Sequence, residues 1–333
     1  MRRRRNGGGL IIGLSTSNMM SVGLPGISGA PVTTHYAYVA NSNISNSSVS
    51  VIEISTNKVI TTIAVESQSE PAGVAITPDG NYAYVTDFTG SISTVSVIEI
   101  STNKVITTIG VGTNPYGVAI TPDGNYAYVV SYGTYDVSVI EISTNKVITT
   151  IGVGVHPHGI AITPDGGYAY VANSGSNTVS VIEISTNKVI TTIGVGTNPV
   201  GIAITPDGGY AYVANTATNG SVSVIQISTN TVVATISVGT EPVWVAITPD
   251  GNYAYVTNYN SGTVSVIEIS TNTVTATVTV EKNPYGVAIT PDGNYAYVTN
   301  YGSNTVSVIE ISTNKVVATI SVGSEPEGIA ITP

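Results

Sequence analysis

The 333-residue chain has no cysteine, one tryptophan and one phenylalanine, and only 9% of its residues are charged. Without thiols it carries no disulfide scaffold, no thiol nucleophile and no zinc site built on thiolates. Arginine is confined to Arg2–Arg5, and beyond that cluster six lysines stand against twenty carboxylates. Such a balance offers no basic surface to release phosphate counterions, so nucleic acid is not an expected partner. Long apolar runs are missing too. No segment approaches the ~18 residues that would cross a bilayer, and no transmembrane span is expected in the body of the chain.

What the chain does have is valine, isoleucine, tyrosine and 35 glycines, the last without the three-residue period of collagen. This composition suits a globular, strand-rich protein. Residues 1–31 read as a separate leader. Arg2–Arg5 precede an apolar stretch that ends in the small residues Ser28, Gly29 and Ala30, the order of a secretory signal peptide. The stretch is interrupted, with Leu10–Ile12 its longest apolar run, and Pro31 is a poor cleavage context. An extracellular or cell-surface location is expected; a flexible basic leader on a cytoplasmic protein is the alternative.

From residue 32 to 333 the sequence repeats. Tyr-Ala-Tyr-Val begins at Tyr36, Tyr82, Tyr126, Tyr168, Tyr210, Tyr253 and Tyr295, with spacings of 42 to 46 residues. That period is the size of one four-stranded propeller blade. In one unit the strands are expected at Val118–Thr121, Tyr126–Val130, Val137–Ile142 and Lys146–Val153. Turn chemistry separates them. Pro122-Asp123-Gly124 joins the first two, and Ser143-Thr144-Asn145 joins the last two, with Gly and Asn available for left-handed backbone. The chain ends on a lone first strand, Gly328–Pro333, and begins on a second strand at Tyr36. The expected fold is therefore all-β, a seven-bladed propeller of four-stranded antiparallel blades, its ring closed by the C-terminal strand pairing inside the N-terminal blade. Closure is expected to remove open sheet edges.

The motifs Tyr255-Val256-Thr257-Asn258 and Tyr297-Val298-Thr299-Asn300, with Pro-Asp-Gly before them and Val-Ser-Val-Ile after, resemble the YVTN β-propeller repeats of archaeal and bacterial surface-layer-like proteins. The resemblance covers residues 32–333. It implies the propeller fold and a surface-associated role, while leaving function open, since one propeller scaffold hosts both binding proteins and enzymes.

The seven units differ at one end only. Pro-Asp-Gly and Ser-Thr-Asn recur almost unchanged at the uniform end, whereas the loops between second and third strands and the crossovers between blades vary. Six turn aspartates and six third-strand glutamates belong to the repeat, five of the glutamates facing a lysine across the hairpin in reach of an ion pair. The acids that remain include Glu241, Glu325 and Glu327 at the variable end. Fourteen tyrosines are repeat residues. The other aromatics, Phe88, Tyr116, Tyr132, Tyr135, Trp244, Tyr259, Tyr285 and Tyr301, fall in the variable loops and crossovers, with Trp244 where most units have glycine. Rings and acids gathered at one end suggest a recognition face for a cell-surface protein or glycan; the alternative is that the rings cover loops and plug the channel mouth. His156 and His158 are the only candidate metal ligands, and extended i, i+2 spacing is expected to send them to opposite faces. No catalytic constellation or cofactor motif occurs, and no cofactor is expected. The expected function is a non-enzymatic binding or structural module, with a lactonase or quinoprotein-dehydrogenase type of propeller enzyme as the alternative.

Overall fold

The structure is a computed structural model that describes residues 34–89 and 93–333. The expected leader, residues 1–31, lies outside the described residues. Residues 34–333 form one compact unit of 28 strands in seven four-stranded antiparallel sheets. Each sheet is a blade, and the first strand of each packs against the first strands of its neighbours around the centre. Among the described residues no helix is long and apolar enough to cross a membrane.

One blade illustrates the repeat. Its inner strand is Pro115–Ile120, followed by Tyr126–Ser131, Asp136–Glu141 and the outer strand Lys146–Gly152. The turn after the inner strand is held by its own side chains. Thr121 Oγ1 donates to Asp123 Oδ1 at 2.5 Å, the Asn125 amide donates to the same oxygen at 3.0 Å, and Gly124 takes φ 72°. The inner strand begins three residues earlier than the sequence suggests. Pro115 pairs with Ser131 across a register shift, which lets Pro-Tyr-Gly extend the strand toward the variable end.

The ring closes as the sequence predicts. Pro326–Ile331 is the inner strand of the blade formed by Tyr36–Asn41, Ser48–Glu53 and Lys58–Ala64. The Thr332 amide donates to the Tyr36 carbonyl at 2.9 Å, and the Tyr36 amide to Thr332 Oγ1 at 2.9 Å.

The cores lie between blades. Tyr170, Val179, Val181 and Ile193 of one blade pack on Ile202, Ala211, Val213 and Ile225 of the next, so large residues of one face meet smaller ones of the other. The second tyrosine of each motif is fully buried, and its hydroxyl donates to the turn asparagine of the following blade. Tyr84 reaches Asn145 at 2.7 Å, Tyr212 reaches Asn272 at 2.7 Å, and Tyr297 reaches Asn57 in the first blade. Seven such bonds circle the molecule. The receiving asparagines all have φ between 52° and 54°. Asparagine at this turn thus meets two demands, a left-handed backbone and an acceptor for the next blade's tyrosine.

Two expectations change here. Third-strand glutamates do sit opposite lysines, as in Glu141↔Lys146, but the carboxylate accepts the hydroxyl of the threonine three residues on, Thr144 at 2.7 Å. A hydroxyl within the same tight turn is nearer than a lysine head at the end of a flexible stem. Closure also leaves the seven outer edges in place. Each outer strand carries one extra residue relative to its partner, as Ile148 lies between Thr149↔Val139 and Val147↔Ile140. This bulge turns Ile148 out to solvent and interrupts the straight edge that another strand would need.

Candidate functional site

Every inner strand enters the channel through Pro-x-Gly, or Pro-x-Trp in one blade, and x is the position that varies. Around the ring it reads Glu327, Ala72, Tyr116, His158, Val200, Val243 and Tyr285. The glycine after x is required by close approach. A Cβ at Gly159 would overlap the carbonyl oxygen of Val200 on the next blade, and one at Gly286 would overlap that of Glu327. Trp244 stands at this position in one blade and lines a small cavity with Tyr116 and Tyr285.

That cavity encloses about 70 Å³, far below the roughly 300 Å³ at which small-molecule pockets begin. The channel mouth is filled by side chains. Tyr116 is 7% exposed; it donates to Glu327 Oε2 at 3.0 Å and shares a hydroxyl–hydroxyl hydrogen bond with Tyr285. Burial pushes the Glu327 carboxyl up to about 7, opposed by the hydrogen bonds from Tyr116 and Ser42 and reinforced by Glu70 and Glu325. Burial also raises Tyr116 and Tyr285 well above the usual phenol range, with Glu327 adding to both.

Seven of the eight non-repeat rings form two groups rather than one platform, Tyr116 joins them, and Trp244 lines the cavity between. In the first, Phe88 lies edge-on to Tyr116 at 5.4 Å between centroids, and Tyr116 lies edge-on to His158 at 4.7 Å. Tyr132 stacks on His156 at 4.4 Å and 9°, and meets His158 edge-on at 5.0 Å. Tyr135, 39% exposed, approaches His156 with its hydroxyl 3.2 Å from Nε2. In the second group Tyr259, Tyr285 and Tyr301 stand 6.1 to 6.3 Å apart, each pair at a different angle.

Of the residues expected in loops and crossovers, Tyr116, Trp244 and Tyr285 are on inner strands, because those strands start earlier than the sequence suggests. They also account for the channel plug. Phe88, Tyr132, Tyr135, Tyr259 and Tyr301 remain on the rim. The histidines depart from expectation as well. His156 has φ 51°, which breaks the extended alternation, and both imidazoles pack against Tyr132 rather than pointing to opposite faces. Burial, with His156 nearby, holds His158 down at about 4, so it is neutral over the physiological range. Among the described residues no cluster of three or more His, Asp or Glu side chains could hold a metal ion.

Glu241 and Glu325 precede the prolines of two crossovers with φ of 53° and 57°, at a position where three blades have Asn114, Asn198 and Asn283. Together with Glu327 they raise Tyr259 above the usual phenol range, burial being the larger cause. Lys282 is the one lysine at this end; it is exposed and makes no ion pair among the described residues. Sequence reasoning missed the Pro-x-Gly register, although one variable position inside an otherwise constant motif was a usable signal. It also treated His158 only as a metal candidate, not as part of the channel wall.

With this geometry the chain compares as follows. A family described as Lactonase, 7-bladed beta-propeller matches residues 186–286, and the LVIVD repeat matches residues 74–101. No curated protein sequence matches significantly. Among solved structures, a chain of Kuenenia stuttgartiensis hydrazine synthase is 26% identical, with a TM-score of 0.71, over 78% of this chain and 88% of its own. A functionally unknown protein from Desulfotomaculum acetoxidans is 23% identical, with a TM-score of 0.77, over 89% and 98%. A candidate 6-phosphogluconolactonase from Bacteroides fragilis is 16% identical, with a TM-score of 0.76, over 92% and 100%. The last two likenesses concern the fold alone. The chain is a seven-bladed propeller repeat protein.

Proposed function

We propose that this chain is a non-enzymatic binding module of the cell surface or secreted space, acting through the variable end of the propeller on a protein or glycan. The observation that carries this reading is the sorting of side chains. Aromatic and acidic residues outside the repeat collect at one end, on the rim and in the channel mouth, where the cavity of about 70 Å³ is too small to enclose a small molecule. A partner therefore meets the rim and the partly exposed rings that border the channel mouth, Trp244 among them, which supply rigid contact area. The resemblance to YVTN surface-layer-like repeats and the signal-like order of residues 1–31 support the location.

Trp244→Gly gives the sharpest test, because glycine is the residue of the other six blades and keeps the backbone competent. The account expects a folded protein with weakened binding to cell envelopes of the producing organism. Unchanged binding in Trp244→Gly combined with Tyr132→Ala would remove the variable end from consideration. Protease treatment of intact cells that leaves the chain untouched would remove the surface location.

The lactonase match over residues 186–286 supports a second reading, a propeller lactonase, with Glu327 as a carboxyl that titrates near neutrality. Against it, the variable end has Lys282 and no arginine to hold an anionic substrate such as a phosphosugar. Hydrolysis of a lactone panel that is lost in Glu327→Gln or His156→Ala would favour the enzyme.

A further inference from the structure

Tyr259, Tyr285 and Tyr301 come from three different segments of two neighbouring blades, two loops and one inner strand. Their centroids form a nearly equilateral triangle with sides of 6.1, 6.2 and 6.3 Å. The centre of such a triangle is about 3.6 Å from each ring, well within the roughly 6 Å over which a cation is drawn to an aromatic face. The rings are neither stacked nor coplanar, with interplanar angles of 85°, 52° and 38°. They meet at a corner instead of closing on one another as a flat stack.

Carboxylates lie near the same three rings, with no partner cation among the described residues. Glu327 and Glu325 act on both Tyr259 and Tyr301, Glu241 on Tyr259 and Glu70 on Tyr301. Structure alone gives no reason for glutamate at 241 and 325. Both are in left-handed backbone, which costs a side chain with a long stem more than asparagine, the residue that three other blades use there. Arginine is absent from the whole propeller, and the exposed Lys282 pairs with none of these acids among the described residues. The negative charge is thus left open to something from outside, next to rings whose faces favour positive charge.

We propose that the Tyr259–Tyr285–Tyr301 corner of the variable end binds an organic cation, an alkylammonium or guanidinium group, with Glu241 and Glu325 supplying the countercharge. This names the ligand class for the face proposed above and rests on that reading. The group is carried by a lysine or arginine side chain of a partner protein or by a free amine, and the two sources share the same recognition chemistry.

The full chain is titrated by calorimetry with butylammonium and N-acetyl-arginine amide, against the neutral pentanol and N-acetyl-glutamine amide. A lysine-containing peptide and a neutral glucan oligosaccharide complete the set. The expected result is binding of both cations, at least tenfold weaker binding of their neutral counterparts, and weakening as salt rises. Tyr301→Leu and Glu325→Asn are each expected to reduce cation affinity at least fivefold, while Glu141→Gln, at the uniform end, leaves it unchanged. Glu325→Asn places the residue of three other blades at that position, so its fold is secure even where Tyr301→Leu is unstable. A peptide that binds more tightly than butylammonium identifies a protein source; the reverse identifies a free amine. Equal binding of charged and neutral probes, or full affinity in Glu325→Asn and Tyr301→Leu, overturns the cage. Glucan binding that is lost in Trp244→Gly yet kept in Tyr301→Leu also overturns it while preserving the binding face.

Discussion

At the residue scale, side chains on one face of a strand have different tasks according to how deep they lie between blades. Tyr210 and Tyr212 are two positions apart, yet only Tyr212 is buried and donates to the next blade, at Asn272. Tyr212→Phe removes that bond and leaves the Asn272 oxygen without its donor, at a cost of about 1 kcal/mol. Tyr210→Phe, whose hydroxyl makes no hydrogen bond among the described residues, is expected to melt with the parent protein in a denaturant titration. Asp87 is the other informative residue. It is 0% exposed and stands where five blades have asparagine, accepting from Thr94 and Ser96. Burial raises its carboxyl to about 6 from 3.8. In the folded state it therefore holds its proton at a pH where the unfolded chain has lost it, so its ionisation destabilises the fold as pH rises from about 4 through 6. Asp87→Asn is expected to raise the melting temperature at pH 8 and to change it little at pH 3.5. An equal shift at both values would separate the effect from titration.

At the level of elements, the turns and their residue types were readable from sequence, because Pro-Asp-Gly and Ser-Thr-Asn act locally. Gly124 and Asn145 adopt the left-handed backbone their types suggest. What the turns do at long range was not readable. The hydroxyl that Asn145 receives comes from Tyr84, 61 residues away, and nothing in the local pattern marks the pair. The early start of the inner strands was hidden for a related reason. A proline two residues before a glycine reads as a break, yet the register shift absorbs both. This displaced Tyr116, Trp244 and Tyr285 from loop to channel wall. The outer strands carry the bulge that periodicity alone does not show. Deleting Ile148 restores an even register and a straight edge, and the variant is expected to aggregate faster than the parent in a light-scattering assay. Ile148→Ala keeps the bulge and is expected to stay soluble.

For the whole molecule, seven near-identical units close into a ring, and the C-terminal strand is the closing piece. Removing Gly328–Pro333 exposes the inner edge of Tyr36–Asn41 and strips one wall from the channel, taking Ile329 from the core between the last and first blades. Loss of cooperative unfolding, followed by circular dichroism, is the expected outcome; adding the missing strand as a free peptide should restore part of the transition. The fold was legible because repetition made every expectation seven times over. The site was legible in composition and end of the ring, but not in arrangement, since two ring groups, a filled mouth and the backbone at His156 depend on contacts between blades. The claim that unites these observations is that function belongs to the one end where the blades differ. The most direct measurement compares envelope binding of the parent chain with Trp244→Gly and with a uniform-end control, Glu141→Gln plus Glu183→Gln. The account predicts that binding falls at least tenfold in Trp244→Gly and stays at the parent level in the control. Loss in the control with full binding in Trp244→Gly would contradict it.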